Sequence, residues 1–115
     1  MKHDMKLHEN PFEMIKSGRK TIELRLYDEK RRGISVGDEI EFTCRALGEK
    51  LTCRVTALHI FDSFDVLYRE LPLLNCGYTE QDISTASPRD MDAYYSREEQ
   101  SRYGVVGIEI EVIDT

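Results

Sequence analysis

Glu39-Ile40-Glu41-Phe42-Thr43-Cys44-Arg45-Ala46-Leu47-Gly48-Glu49-Lys50-Leu51-Thr52-Cys53-Arg54-Val55-Thr56-Ala57-Leu58-His59 is the stretch on which the fold turns. Two alternating runs flank Gly48-Glu49, a two-residue loop with glycine first, as a type II′ hairpin requires. Folding the chain there sets Ile40, Phe42, Cys44 and Ala46 opposite Ala57, Val55, Cys53 and Leu51 on one apolar face. Glu41, Thr43 and Arg45 meet Thr56, Arg54 and Thr52 on the other. A slip of one residue would destroy this match, so the register is expected to be well specified. Cys44 opposite Cys53 reads as two small buried thiols; the alternative, a cross-strand disulfide, is disfavoured in a reducing compartment.

Working outward from the hairpin, residues 3–7 predict a short first strand. Asn10-Pro11 predicts a helix start, with Asn10 as N-cap and Pro11 in the first helical position, stopped two turns later at Gly18. Residues 21–27 alternate Ile22, Leu24 and Leu26 against Thr21, Glu23, Arg25 and Tyr27, the pattern of a half-buried strand. Residues 28–32 form a charged connector, and Val36-Gly37-Asp38 a turn. Beyond the hairpin, Ser63 caps a helix carrying Phe64, Leu67 and Leu71, ended by Pro72. A helix-rich insertion follows: a turn at Thr79-x-x-Asp82, a helix opened by Ser87-Pro88 and a capping box at Ser96-x-x-Glu99. Residues 105–113 alternate as a closing strand. The order predicts one α+β domain over residues 1–115, with a mixed or mostly antiparallel sheet, a short helix after the first strand and a helical insertion before the last. Such a sheet hides its edges by curling into a barrel.

The 115 residues suffice for one core, burying roughly 65% of the surface the unfolded chain exposes. A charged fraction of 33%, with 7 Gly and 3 Pro, excludes collagen-like and disordered classes. No run of about 18 apolar residues predicts a membrane span, and Met1-Lys2-His3-Asp4-Met5-Lys6 lacks the form of a signal peptide, so the expectation is a cytoplasmic protein without membrane contact. The 3 cysteines and 3 histidines show no metal-ligand spacing. Neither a metal nor a cofactor is expected.

The net charge of −6 argues against a broadly basic nucleic-acid binder, but it is unevenly spread. Residues 16–32 hold 7 bases and 3 acids, whereas residues 33–115 hold 7 bases and 16 acids. Lys20, Glu23 and Arg25 fall at the start and on one face of a strand that follows a helix end. Roofed by that helix, this face makes a cleft whose cations suit a phosphate or carboxylate. Tyr94, Tyr95 and Tyr103, interleaved with Arg97 and Arg102, suggest a stacking surface for a single-stranded base.

The residues Phe12-Glu13-Met14-Ile15-Lys16-Ser17-Gly18-Arg19-Lys20-Thr21-Ile22-Glu23-Leu24-Arg25, with Arg102-Tyr103-Gly104-Val105-Val106-Gly107-Ile108 downstream, resemble the ASCH (activating signal cointegrator homology) domain family. The resemblance implies a PUA-like β-barrel with a cleft between barrel and first helix that binds RNA. It implies ligand-binding roles for Lys20, Glu23 and Arg25, with Arg19 beside them and Tyr103 as a further member. One bacterial branch of the family hydrolyses N4-acetylcytidine with a Lys and a Thr nucleophile in a Lys-Thr-x-Thr arrangement. This sequence reads Lys20-Thr21-Ile22-Glu23, so Glu stands in the nucleophile position. Thr21 is a full side-chain layer from Glu23, roughly 6 to 7 Å along a strand, beyond the reach a nucleophile and its base need.

The leading expectation is therefore a binding module for single-stranded RNA or a nucleotide-like anion. The alternative is a small hydrolase acting on a modified nucleoside or RNA, with Lys20 and Glu23 as catalytic candidates and Glu23 as base. The acidic remainder also leaves room for a protein partner.

Overall fold

The computed structural model describes residues 1–114. Five strands make a single sheet in the order β1-β3-β4-β5-β2: β1 (Lys2–Leu7), β2 (Ile22–Leu26), β3 (Glu39–Cys44), β4 (Lys50–Phe61) and β5 (Val105–Asp114). The β1–β3 pair is parallel and the other pairs are antiparallel. Four α-helices decorate it: α1 (Glu9–Lys16), α2 (Glu29–Arg32), α3 (Phe64–Glu70) and α4 (Arg97–Tyr103). Three short 3₁₀ turns, Leu73–Asn75, Ile83–Thr85 and Pro88–Ala93, fill the insertion between α3 and α4.

Alternation sets the layers. The inward residues of β1, β3, β4 and β5, among them Met5, Phe42, Val55 and Ile108, enclose one core that Phe12 and Ile15 of α1 cap. The even-numbered residues of β2, Ile22, Leu24 and Leu26, point the other way and join Phe64, Leu67, Cys76, Met91 and Val105 in a second core. The sheet thus curls around one core and packs its outer flank against the insertion, the mixed α+β arrangement expected of the sequence.

The hairpin register differs from the sequence reading. Ile40 faces Cys53 rather than Ala57, and Phe42 faces Leu51 rather than Val55. The connection is a longer one, residues 45–49, closed by hydrogen bonds from the Cys44 amide to the Glu49 carbonyl (2.8 Å) and from the Gly48 amide to the Cys44 carbonyl (2.9 Å). The physical reason is parity. A shift by an even number of residues keeps the same side chains inward, so alternation distinguishes faces but not registers two residues apart. Ala46, expected on the buried face, is exposed, as is Leu47. Cys44 consequently does not oppose Cys53, and all three cysteines are free and buried.

Two local expectations also move. Helix α1 begins at Glu9 with His8 as N-cap, whose side chain makes no capping bond. Asn10 lies inside the first turn and Pro11 follows it there, where a missing N–H costs nothing because those groups have no intrahelical partner. Strand β2 is buried on both faces rather than half-buried: Glu23, on its polar face, is only 4% exposed. By contrast Ser63, Ser87 and Ser96 all cap as their spacing predicts, the last two in full capping boxes.

Gly104 joins α4 to β5 with φ 72° and ψ −171°, a conformation essentially reserved for glycine. A Cβ there would also stand 3.1 Å from the Phe61 carbonyl oxygen. Gly104→Ala is expected to cost about 1–3 kcal/mol, read as a lowered midpoint in urea unfolding with an unchanged slope.

Candidate functional site

The chain enters β2 through Gly18, whose φ of 82° lets the amides of Arg19 and Lys20 both reach back to the Met14 carbonyl, at 2.9 and 3.0 Å. That turn brings Lys20 alongside the odd-numbered face of β2. On this face Glu23 lies opposite Ile108 and Arg25 opposite Val106, both residues of the first core. A carboxylate on the inner face of a curled sheet requires partners. Glu23 has two: Lys20 Nζ lies 2.8 Å from Oε1, and Arg25 Nε donates to Oε2 at 2.7 Å. The side chains of Lys20, Glu23 and Arg25 are 11%, 5% and 14% exposed.

Burial alone would push the Glu23 pKa up. The charges of Lys20 and Arg25 and their hydrogen bonds together outweigh it and hold the carboxyl below its ordinary value of 4.5. Arg25 does a second job. Its Nη2 donates to the Lys6 carbonyl of β1 at 3.1 Å, and Lys30 Nζ donates to the Asp4 carbonyl at 2.9 Å. β1 and β2 are the two edges of the sheet, so these side chains bridge its seam where no ladder joins the strands.

Lys20, Glu23 and Arg25 are thus brought together. Arg19 is not part of the cluster, since it is exposed and its Nε donates to Ser17 Oγ at 3.0 Å. Tyr103 lies in a separate groove with Tyr27 and Arg32. Thr21 spends its amide on the Asn75 carbonyl, at 2.9 Å, and its carbonyl on Ile110. Among the described residues no hydrogen bond links its hydroxyl to Lys20 or Glu23.

The insertion supplies one contact the sequence reading missed. Gly77, at φ 111°, lies against the Lys20 side chain, where an added Cβ would stand 3.5 Å from its stem. Tyr95 stacks on Phe64, with ring centroids 6.3 Å apart, and feels the charges of Arg25, Glu23 and Arg31. Arg31 pairs with Asp28 at 3.2 Å yet keeps a buried Nε without a partner. Nothing local marked Gly77, whose role depends on a contact across the fold. Among the described residues no cluster of His, Cys, Asp and Glu could hold a metal, and no helix is long and apolar enough to cross a membrane.

The profile of the ASCH domain matches residues 5–114. The chain belongs to the ASCH domain family. This ASCH domain superposes on the hypothetical protein PH0355 with a TM-score of 0.82 at 37% identity, over 98% of this chain and 100% of that one. Protein PF0455 of Pyrococcus furiosus gives a TM-score of 0.77, also at 37% identity, with both chains fully covered. The ASCH protein of Zymomonas mobilis shares the fold at 18% identity, TM-score 0.62, over 96% of this chain and 68% of that one. Among curated proteins none matches at a significant level.

Because Glu23 is held below its unfolded pKa, the network contributes stability that is present above about pH 4.5 and lost as pH falls through the folded-state value. Glu23→Gln leaves two buried cations facing each other and is expected to cost about 3–5 kcal/mol at pH 7. Urea unfolding at pH 7 and at successively lower pH checks both points: the penalty shrinks as the pH falls through the lowered folded-state value of wild-type Glu23.

Proposed function

We propose that this ASCH domain binds RNA, or a nucleotide-like anion, by taking a phosphate oxygen at the network between α1 and the barrel. The observation that carries this reading is the charge count of the cluster: two cations share one carboxylate, leaving one positive charge on the inner face of an acidic protein. Donors are left over as well. An ammonium has three N–H groups and a guanidinium five. Glu23 takes one from each, and the Lys6 carbonyl takes one more from Arg25.

Glu23 acts here as a spacer. It holds Lys20 and Arg25 in place, so an incoming anion meets cations that are already oriented. The turn at Gly77 lies against the Lys20 side chain. Family membership supports the same ligand class, PUA-like folds being generally regarded as RNA-binding.

The hydrolytic alternative has less behind it. A general base needs a free oxygen and a pKa near the working pH. Both oxygens of Glu23 are engaged and its pKa is lowered.

Fluorescence anisotropy with labelled single-stranded RNAs tests the proposal. Binding is expected at low salt and weakens as salt rises, because phosphate contacts release counterions. Lys20→Ala keeps Arg25 as a partner for Glu23. It is expected to weaken binding about tenfold and to flatten the salt slope by about one contact. Absence of low-salt binding across the RNA panel, or unchanged binding by a variant whose circular dichroism shows it folded, overturns the proposal.

A further inference from the structure

Two arginine–tyrosine pairs frame a groove of about 380 Å³ at the far end of β2. The Arg32 guanidinium lies 4.4 Å from the Tyr27 ring centroid, and its Nη2 donates to the Tyr103 carbonyl at 3.1 Å. The Arg102 guanidinium lies 5.3 Å from the Tyr103 ring centroid. Ile60, at the end of β4, lines the same groove and is 50% exposed. Asp62 is the single acid among the lining residues. Neither Arg32 nor Arg102 has a carboxylate partner among the described residues, although acids outnumber bases in the chain by 22 to 16.

We infer that this groove is a nucleotide subsite, taking a base against its aromatic and guanidinium walls and a phosphate on Arg32 and Arg102. Both parts of such a ligand are matched. Planar guanidinium groups and tyrosine rings stack on any nucleobase. The remaining N–H groups of the two arginines suit a phosphate, which guanidinium binds in a fork. Ile60 supplies apolar contact beneath a base, and the volume lies within the range of small-ligand sites. Arg32 is held in advance by Tyr27 and the Tyr103 carbonyl, so little freedom is lost when a ligand arrives.

The ligand class is a nucleoside phosphate, either free or as one residue of a single strand. The inference shares this class with the proposed function but stands on different residues, and one experiment separates them. Backbone-amide NMR of the full chain is followed on titration with adenosine 5′-monophosphate, with cytidine 5′-monophosphate, with an adenosine hexaribonucleotide, and with ribose 5-phosphate as a control lacking a base.

Shifts at Tyr27, Ser101 and Gly104 with nucleotide but not with ribose 5-phosphate are expected. Arg102→Glu, on an exposed side chain, is expected to weaken them at least tenfold while leaving the rest of the spectrum in place. Shifts with the monophosphates indicate a free ligand; shifts with the hexanucleotide alone indicate a strand. Either supports the subsite. Shifts confined to residues around Lys20 and Gly77 overturn the subsite and leave the proposed function standing. Shifts at the groove alone support the subsite and overturn the role given to Lys20. Groove shifts indifferent to Arg102→Glu or equally strong with ribose 5-phosphate overturn the subsite, and no shift anywhere overturns both readings.

Discussion

Arg25 is the side chain on which the arrangement depends. A sheet that curls without closing leaves two edges, and an unpaired row of backbone groups is costly to bury and hazardous to expose. In β1 the carbonyls of Met1 and Leu7 bond to the β3 side, at Glu39 and Arg45. Those of the even residues therefore point to the seam. Arg25 reaches the carbonyl of Lys6 from β2 while its Nε remains on Glu23. A lysine has one nitrogen at the tip of a flexible stem and cannot hold both acceptors in a fixed fork. One guanidinium thus couples the bridging of the open seam to orientation of the buried carboxylate.

That coupling explains why a charged cluster sits opposite Ile108 and Val106 at all. Apolar residues at positions 20, 23 and 25 would give a simpler core, since buried ion pairs often contribute less than the hydrophobic groups that replace them. The cluster is a functional candidate because its electrostatics are incomplete: two cations, one anion and N–H groups to spare. Arg31, with its buried Nε unpartnered, adds a further donor near Tyr95. Unsatisfied donors of this kind are rare in folded proteins and usually signal strain or a missing partner. An acidic exterior around this interior excess opposes long, nonspecific contact with duplex, while the proposed phosphate site needs only one local contact.

How much of this could be read from the sequence follows from the range of the interaction involved. Caps at Ser63, Ser87 and Ser96 depend on residues three positions away, and all were legible. The inward faces of β3, β5 and the first half of β4 were legible because they keep period-2 alternation; past Val55 a register shift in β4 breaks it, so Ala57, expected inward, pairs with Glu109 and Leu58 packs against the core instead. The hairpin register was not: registers two residues apart bury the same side chains, and the longer connection, held in part by Glu49 reaching Lys16 of α1 at 2.5 Å, lies beyond local patterning. The start of α1 was misplaced because Asn10 and Pro11 suit the first turn as well as the cap. At the site, Lys20, Glu23 and Arg25 were legible from charge pattern and resemblance. Their burial was not, because the insertion that covers them meets β2 through long-range contacts, such as Thr21 with Asn75, Lys20 with Gly77 and the second core, that no local pattern shows.

The same reasoning bears on how the network and the groove relate. Glu23, Arg25 and Tyr27 share one face of β2, at intervals of two residues and so of roughly 6.6 Å. Tyr27 continues the ladder beyond Leu26, its amide bonded to the Gly104 carbonyl at 3.0 Å. One strand therefore spaces a charged cluster and an aromatic wall along a common line, fixed by the β2–β5 register rather than by mobile loops. A ligand spanning both would meet charge at one end and stacking surface at the other. Because Gly104 both terminates α4 and receives Tyr27, the left-handed turn that the backbone requires there also sets where Tyr103 stands relative to Tyr27. Backbone geometry and the placement of the groove's aromatic wall therefore meet at that one turn.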